Sequence, residues 1–487
     1  MHELTKIVVR NSLLGIAAQV AIKLLSFLFS ILIVRSLGAA AFGQYAAVIS
    51  FGSVFLFVAD LGLAPYTVRE VARLRDAPDG QRRINALFTD VLVLRMLLGV
   101  IAGVLMLTAA VLTGRPWLMV GAIALNVLCV LLYAVQGSSE AVLSGYERLD
   151  LSAGFNVLNQ LLFVGLGGIG LWLGLGYYGL ILATLAGVVV ITWANWRAVH
   201  WIGVRVGQVQ FARWRALLIA ALPFGVIGLT LGLSYRFDSV LLNIVWGDLP
   251  TGHYNVAYNL IFSLVTLSNV INTALYPSLA RQAATAPDSL PQLYERMLRY
   301  LLLVSIPIAV GGWMLAAPLV DLAFGPEYAA SVDLLRVLIW VIPLMFCSEF
   351  LGYVVVIAGR EARVARAVVI STTVNVIANL LLIPRFGASA AAGVTLATEA
   401  VLVTQYVWLL RDQLGQIQWR ALSLRPLLAL FAMAVLVAFA RDLPVLVTVA
   451  LGGLLYGVLL LLLRVVGADE LAFLRGLVGH RAASDTV

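Results

Sequence analysis

The stretch GLTLGLSYRFDSVLLNIVWG, from Gly228 to Gly247, places a cation and an anion inside an otherwise apolar segment. About 20 residues of this kind are enough to cross the hydrocarbon core of a bilayer as a helix. Charged side chains at such depth are costly and usually face a protein interior or a water-filled cavity. Arg236 and Asp238 therefore predict a membrane protein with a polar interior.

The composition of the whole chain supports the same interpretation. Of its 487 residues, 62% are hydrophobic and only 11% are charged, against about 25% charged in typical soluble domains. The net charge of +8 comes from basic residues that flank apolar segments, which is typical of membrane topology, so nucleic-acid binding is not expected. Two cysteines inside apolar segments predict no disulfide framework, and four scattered histidines predict no metal site.

Apolar blocks separated by polar turns predict an all-α polytopic membrane protein with fourteen transmembrane helices. The predicted spans are 12–34, 41–64, 86–112, 117–138, 151–174, 177–197, 216–246, 253–278, 297–320, 331–357, 365–384, 388–410, 424–440 and 444–463. Lysine and arginine concentrate on one side of this alternation, which by the positive-inside rule places both termini in the cytoplasm. The connections are too short to hold an independent folded domain.

The chain contains two copies of one unit, offset by about 210 residues. FGQYAAVISF, beginning at Phe42, corresponds to TGHYNVAYNL, beginning at Thr251. Because each copy has six spans, an even number, both insert in the same orientation, which predicts parallel repeats around a central cavity. The predicted domains are an N-terminal six-helix bundle over 1–207, a C-terminal six-helix bundle over 208–418, two additional transmembrane helices over 419–464 and a cytoplasmic tail over 465–487.

Five segments carry a family resemblance through their order and spacing. They are ILIVRSLGAAAFGQYAAVISF, VADLGLAPYTVREVAR, YNVAYNLIFSLVTLSNVINTALYPSLAR, LAFGPEYAASVDLLRVL and LLIPRFGASAAAGVTLATE. These resemble the polysaccharide transporter family, the oligosaccharide flippases of the multidrug/oligosaccharidyl-lipid/polysaccharide exporter superfamily. Recurring positions of that family match Arg35, Asp60, Gly62, Arg69, Tyr254, Ala257, Pro277, Gly325, Pro384 and Glu399.

The resemblance implies two six-helix bundles, often followed by two extra helices. It also implies movement of undecaprenyl-pyrophosphate-linked oligosaccharide from the inner to the outer leaflet of the bacterial cytoplasmic membrane. On this interpretation the protein is a transporter and not an enzyme. Its expected partners are the lipid-linked oligosaccharide diphosphate, membrane lipids and polysaccharide-assembly proteins such as a glycan polymerase.

Lys23, Arg95 and Arg236 are basic residues predicted to lie within the membrane. A diphosphate would lose its solvation inside hydrocarbon, and cations lining a cavity would replace that solvation. We therefore predict that these three residues bind the diphosphate. Two alternatives stay open: Arg236 snorkels or pairs at the outer leaflet, and Arg95 pairs structurally with Asp90 or Asp60.

Span eight carries Asn255, Asn259 and Asn269 within about 80° of one another on a helix. They are predicted to line a wet cavity and bind substrate, or alternatively to hold helices together. The carboxylates predicted to take part in ion coupling or pairing are Asp60, Asp238, Glu349 and Glu399. Asp238 lies about 200° round the helix from Arg236, so the two are not close partners. No cofactor is predicted beyond possible Na⁺ or H⁺ coupling.

Other functions stay open as alternatives. A lipid II flippase of the same superfamily shares a diphosphate substrate, whereas a drug/cation antiporter would favour acidic over basic cavity residues. A membrane-embedded glycan polymerase or ligase is a remote alternative, because it needs polar outer loops to carry catalytic groups. The predicted outer loops are short and nearly free of such groups.

Overall fold

The computed structural model describes residues 2–285, 289–414 and 424–465, and these residues form an all-helical protein. The helices are α1 His2–Asp60, α2 Leu63–Leu74, α3 Gly80–Leu112, α4 Trp117–Gly145, α5 Leu149–Trp172, α6 Gly176–Trp201, α7 Trp214–Trp246, α8 Asp248–Thr285, α9 Leu290–Met314, α10 Ala316–Phe324, α11 Ser331–Leu338, α12 Val341–Ile357, α13 Glu361–Leu409, α14 Arg411–Leu414, α15 Leu424–Phe439 and α16 Val445–Leu462. The all-α prediction is confirmed.

Ten helical segments within the described ranges are long and apolar enough to cross a membrane. Two helices contain a glycine with non-helical angles, Gly38 in α1 (φ 74°) and Gly387 in α13 (φ 60°). Glycine adopts positive φ without steric cost, so each of these helices has two legs joined at the glycine. The breaks lie in the predicted connections between spans 1 and 2 and between spans 11 and 12. The total of fourteen crossings and the location of the termini stay predictions.

Several predicted spans differ from the structure. Span 4 continues to Gly145, span 8 extends over the whole of α8, and span 10 is divided between α11 and α12. Two further differences lie at turns. The second span, predicted to reach residue 64, ends at Asp60, because Leu61 (φ 43°) and the following glycine take left-handed conformations and turn the chain into α2. The ninth span, predicted to reach residue 320, ends at Met314, and α10 begins at Ala316. Pro318 lies in the first turn of α10, where its missing N–H is tolerated but would interrupt a continuous helix.

Residues with positive φ recur at equivalent places in the two sequence repeats. The pairs, each about 210 residues apart, are Gly38 and Gly247, Gly114 and Gly325, Glu147 and Gly359, and Gly176 and Gly387. Positive φ is uncommon and mostly confined to glycine. The repeated positions therefore indicate that both copies turn the backbone in the same way.

A reciprocal contact supports the same internal symmetry. Gly43 packs so closely on the backbone of Asp248 that a Cβ there would overlap its carbonyl. Gly252 packs in the same way on the carbonyl of Ala39. Gly43 and Gly252 are the equivalent glycines of the two repeats, and the contacted residues are equivalent too. A contact in which each copy gives and receives the same interaction is the signature of two-fold symmetry.

The chain forms two compact units. Of the described residues, those within Met1–Phe27, Val256–Ser371 and Ala392–Val487 belong to the first unit, and those within Leu28–Asn255 and Thr372–Ala391 belong to the second unit. In the first unit, α15 and α16 pack with α9, and the Tyr456 hydroxyl donates to the Leu303 carbonyl at 3.0 Å. In the second unit, Leu63, Phe88 and Val142 belong to one fully buried core. The predicted bundle boundaries at 207/208 and 418/419 stay predictions, and the predicted tail after residue 465 lies outside the described residues.

A segment between α6 and α7, residues 203–210, is held along α3 by its backbone; we call it the strap. The bonds run from Gln81 Nε2 to the Gly203 carbonyl (2.9 Å), from the Arg205 N–H to Asn85 Oδ1 (3.0 Å), from the Gly207 N–H to Thr89 Oγ1 (2.8 Å) and from the Gln210 N–H to Asp90 Oδ1 (2.7 Å). Val204 is fully buried in the same core as Leu87 and Phe88. The strap is therefore an ordered part of the second unit, fixed by polar and apolar contacts together.

Candidate functional site

The predicted cations Lys23 and Arg236 have different surroundings. Lys23 is exposed on the first leg of α1, in the first unit. Arg236 is half-buried on α7, in the second unit, where its charge interacts with the Tyr45 hydroxyl. Within the described part of the chain, neither side chain forms a salt bridge with a carboxylate. The Arg236 charge also interacts with that of Asp238, two residues further along α7, whereas no carboxylate of the described residues is paired with Lys23.

Arg95 is buried, with 5% of its surface exposed, and its Nη2 lies 2.9 Å from Asp60 Oδ1. The same carboxylate accepts the backbone N–H groups of Gly62 (3.1 Å) and Ala64 (3.2 Å) at the start of α2. The ion pair therefore fixes the turn between α1 and α2. Asp60, and not Asp90, is the partner among the two that the sequence left open. Nε and Nη1 of Arg95 are buried without a hydrogen-bond partner in the described residues, so its ligand role stays a prediction.

Asp238 is buried between α7 and α8 and its carboxylate is well supplied with donors. The Tyr254 hydroxyl donates to Oδ2, and the Ser239 N–H donates to Oδ1 at 2.6 Å. Ser239 Oγ in turn donates to Asn255 Oδ1 at 3.2 Å, while Asn255 Nδ2 donates to the Thr251 carbonyl at 2.9 Å. The Asn255 amide is thus bonded to residues of α7 and α8, which fits the second role that the sequence allowed, that of holding helices together.

The other asparagines of α8 lie in the first unit. Asn259 is half-buried, and its main-chain carbonyl accepts the Ser263 hydroxyl at 2.7 Å. The side chain of Asn269 lies outside the described part of the structure. Asn272, which sequence reasoning did not select, is 2% exposed, and its Nδ2 donates to Ser268 Oγ at 3.0 Å.

The first unit brings two predicted carboxylates together. Glu399 on α13 accepts a hydrogen bond from the Ser348 hydroxyl on α12. The charge of the neighbouring Glu349 interacts with that of Glu399. Asn272 Nδ2 lies 3.5 Å from Glu349 Oε2, so α8, α12 and α13 meet here. Ser348 was missed because its partner Glu399 lies on another helix, far away in the chain. Asn272 was not selected because it lies outside the arc that the other three asparagines of α8 share.

A second charged network that the sequence did not reveal surrounds Asp248, the first residue of α8. Its Oδ1 accepts from Asn243 Nδ2 at 2.9 Å and its Oδ2 from Gln44 Nε2 at 3.0 Å. Arg115 Nη1 lies 3.9 Å away, and burial lowers the pKa of that guanidinium. Asp248 follows the left-handed Gly247, and an acidic residue in a first helical turn was the one signal in the sequence.

Two family models and one curated relative match this chain. Residues 8–282, more than half of the chain, match the family model described as polysaccharide biosynthesis protein, and residues 223–381 match the MatE family model. A curated relative from Haloferax volcanii, described as a probable low-salt glycan biosynthesis flippase, Agl15, is 23% identical over 305 residues. That match covers 61% of this chain and 64% of the relative, so it spans less than two thirds of the relative's length.

Solved structures agree on the fold. A structure of lipid II flippase MurJ in an inward closed conformation superimposes with a TM-score of 0.76 and 12% identity, covering 92% of this chain and 98% of that one. An inward-facing multidrug resistance MATE family transporter gives a TM-score of 0.62 and 16% identity, covering 83% and 99%. At these identities the likeness concerns the arrangement of helices.

Proposed function

The chain belongs to the polysaccharide biosynthesis protein family, and from this premise we propose that it is a flippase for a lipid-linked oligosaccharide. The proposed substrate is undecaprenyl-pyrophosphate-linked oligosaccharide, moved from the inner to the outer leaflet of the bacterial cytoplasmic membrane. The family match and the MurJ-like fold support transport of a glycan lipid. The observation that supports binding of the diphosphate is that Lys23 and Arg236 form no salt bridge with a carboxylate among the described residues.

The physical task is to carry a hydrated glycan and a diphosphate past hydrocarbon. Desolvating an unpaired charge costs far more than a protein can supply, so cationic side chains must replace the lost water. In the proposed cycle Lys23 and Arg236 hold the diphosphate while the two bundles alternate between inward-open and outward-open states, and the prenyl tail stays in lipid. With the cell interior negative, moving about two negative charges outward is favoured by roughly 4–5 kcal/mol per 100 mV.

The proposed protein is a transporter with no chemical step of its own. It needs no cofactor beyond a coupling ion, Na⁺ or H⁺. Its proposed partners are membrane lipids and the polysaccharide-assembly proteins that supply and consume the lipid-linked glycan, such as a polymerase on the outer face. The related Agl15 is described as a glycan biosynthesis flippase, which supports the same class of substrate.

The test is reconstitution into proteoliposomes with a fluorescent lipid-linked oligosaccharide diphosphate, read out by protection from a membrane-impermeant quencher. The wild-type protein should equilibrate the label between leaflets, and Lys23→Gln should abolish this at normal incorporation. Arg411→Gln is the matched control, because Arg411 is an exposed cation outside the membrane-spanning segments. Full transport by Lys23→Gln would reject its role in binding the diphosphate.

Lipid II is the second candidate substrate, favoured by the MurJ-like arrangement of helices. The same vesicles loaded with lipid II instead of the oligosaccharide lipid discriminate the two, because the faster substrate is the better candidate. A drug/cation antiporter finds support in the MatE match, but Lys23 and Arg236 would repel cationic drugs. Glycosyl transfer by the purified protein would instead establish the remote alternative, a glycan polymerase or ligase.

A further inference from the structure

We propose that the strap and the side chains beside it form a docking surface for acidic phospholipids, which it binds through the phosphodiester groups of their headgroups. This basic surface lies in the second unit. It consists of exposed arginines and exposed apolar side chains, namely Arg197, Trp201, Arg205, Val206, Phe211, Arg213 and Arg215. Its binding of lipid requires only insertion into a membrane and does not depend on the proposed flippase function.

The first observation is the charge of this part of the chain. Residues 197–215 contain four arginines and no aspartate or glutamate. All four arginines are exposed, and none of them forms a salt bridge within the described residues. Elsewhere in the same unit, Arg73 and Arg75 face the carboxylates of Glu70 and Glu147. The basic surface therefore differs from other exposed arginines of the unit, because it has no carboxylate partner.

Two carboxylates belong to the part of α3 that holds the strap, and neither pairs with the basic surface. Asp90 is fully buried, and its Oδ1 accepts the Gln210 N–H at 2.7 Å on the α3 side of the strap. Asp79 is exposed just before α3 and forms no salt bridge with an arginine of the described chain. The positive charge of the surface thus remains available to an anion from outside the chain.

The second observation is that the backbone beneath these arginines is ordered. The N–H groups of Arg205, Gly207 and Gln210 donate to side chains of α3, and Val204 is fully buried in the core of the unit. Ordering a flexible segment on binding would cost conformational entropy. The strap is already ordered by its own contacts, so a ligand of its exposed side would bind without that cost.

The third observation is the position of the surface between two apolar helices. The segments Gly176–Trp201 and Phe211–Thr230 are each long and apolar enough to cross a membrane. The short connection between them must therefore lie at a membrane surface. Trp201 is 72% exposed and Phe211 is 70% exposed at the two ends of this connection. Aromatic side chains at the ends of spans typically lie at the level of the lipid headgroups.

The chemistry of these groups selects the ligand. Guanidinium groups form charge-assisted, often paired, hydrogen bonds with phosphate oxygens. In the predicted topology the strap is cytoplasmic, and acidic lipids of the cytoplasmic leaflet attract basic segments next to the membrane. A site for one small anion needs polar groups that converge on a point. Arginines spread from residue 197 to residue 215, with apolar side chains between them, instead fit the headgroups of a lipid surface.

The experiment measures which lipid lies next to the strap of the full-length protein in nanodiscs. A fluorophore is attached through Gln208→Cys in a Cys129→Ala/Cys347→Ala background, because Gln208 is an exposed residue of the strap. The nanodiscs contain phosphatidylglycerol and phosphatidylcholine, and one of the two carries bromine, a quencher, on its acyl chains. We expect brominated phosphatidylglycerol to quench more than its share of the lipid predicts. Arg205→Gln/Arg213→Gln should lower the relative association constant for phosphatidylglycerol at least about fivefold, the contribution of about one arginine at an anionic surface.

Matched variants separate the loss of charge from damage to the strap. Arg205 holds the strap through its backbone N–H, which glutamine and lysine retain. Arg205→Lys/Arg213→Lys should therefore keep most of the preference for phosphatidylglycerol. Arg73→Gln/Arg75→Gln removes the same charge from arginines that already face carboxylates, and it should bind the lipid as the wild type does. Each variant is measured after it elutes as a monodisperse peak.

Equal quenching by the two brominated lipids in the wild type would overturn the proposal. So would an unchanged preference in Arg205→Gln/Arg213→Gln, or its loss in the lysine variant. Two competitors test other ligands of the same chemistry: inorganic phosphate in place of chloride at constant ionic strength, and undecaprenyl pyrophosphate at a low fraction of the lipid. Neither should displace phosphatidylglycerol. Displacement by the first would indicate a site for a free anion, and displacement by the second a site for the transported lipid, and either result would refute docking of phospholipid.

Discussion

Removing the guanidinium of Arg95 should destabilise the second unit through the carboxylate it leaves behind. The Arg95 side chain is 6% exposed and the Asp60 side chain 22% exposed, with 2.9 Å between the paired atoms. Breaking a buried ion pair by deleting one partner costs about 3–5 kcal/mol. Asp60 keeps two backbone N–H donors and its partial exposure to solvent. We therefore expect Arg95→Met to lower the free energy of unfolding by about 3 kcal/mol, the lower end of that range.

A double-mutant cycle tests the cause. Asp60→Asn removes the negative charge and keeps one of the two oxygens that accept the N–H groups of Gly62 and Ala64. Arg95→Met/Asp60→Asn therefore leaves no unpaired charge within this pair. The double variant should lose at least about 1.5 kcal/mol less than the sum of the two single variants, a coupling of the size that groups in direct contact show. The measurement is denaturant unfolding of the protein in micelles, followed by tryptophan fluorescence.

The control for this cycle is Arg69→Met. Arg69 is an exposed arginine whose side chain lies over the Tyr66 ring and near Glu70, so its removal should cost about 1 kcal/mol or less. The reasoning would be refuted if Arg95→Met were no more destabilised than Arg69→Met, or if the two single effects simply added. Transport by the folded double variant then decides the role of Arg95: full activity excludes contact with the diphosphate.

Two further predictions follow from other contacts. Gly43→Ala and Gly252→Ala should lower the free energy of unfolding by similar amounts, about 1–3 kcal/mol each, because each new Cβ meets an equivalent backbone carbonyl. Gly165→Ala is the control and should not lower it, because the space around Gly165 is open. Unequal losses for the first two variants in thermal unfolding would contradict the symmetry. The Arg360 guanidinium holds the pKa of Asp412 below its ordinary value of 3.8, so the stability from this pair is present above that pH and lost as the pH falls further. The free energies of unfolding of the wild type and Asp412→Asn should therefore converge as the pH falls below about 4. A difference between the two that does not change with pH would show that the ionised pair contributes no stability.

The sequence predicted well those features that depend on local pattern. Apolar blocks of bilayer length became helices, and left-handed Gly38 and Gly387 separate the legs that the sequence had separated into spans. The repeat was visible because related residues stay at a constant offset, and the reciprocal contact of Gly43 and Gly252 supports it. Helix α2 was missed because its apolar positions alternate with charged ones over only 12 residues, too short for a span.

Contacts between distant helices could not be predicted in the same way. Whether Ser348 meets Glu399 depends on the rotation and tilt of two helices, and hydropathy constrains neither. The partner of Arg95 could be narrowed to two aspartates from depth alone, but the choice of Asp60 required the turn into α2. Asn255 illustrates the limit, because a polar stripe on a helix serves a cavity or a neighbouring helix equally well.

The strap has a practical consequence for anyone who wishes to label or divide this protein. Residues 203–210 join the two sequence repeats and contain two glycines, so they look like a convenient place for a fluorescent insertion or an engineered cleavage site. Three of its N–H groups, however, donate to the side chains of Asn85, Thr89 and Asp90. An inserted tag would have to break these hydrogen bonds. The segment that joins the two repeats is therefore a poorer site for an insertion than its two glycines suggest.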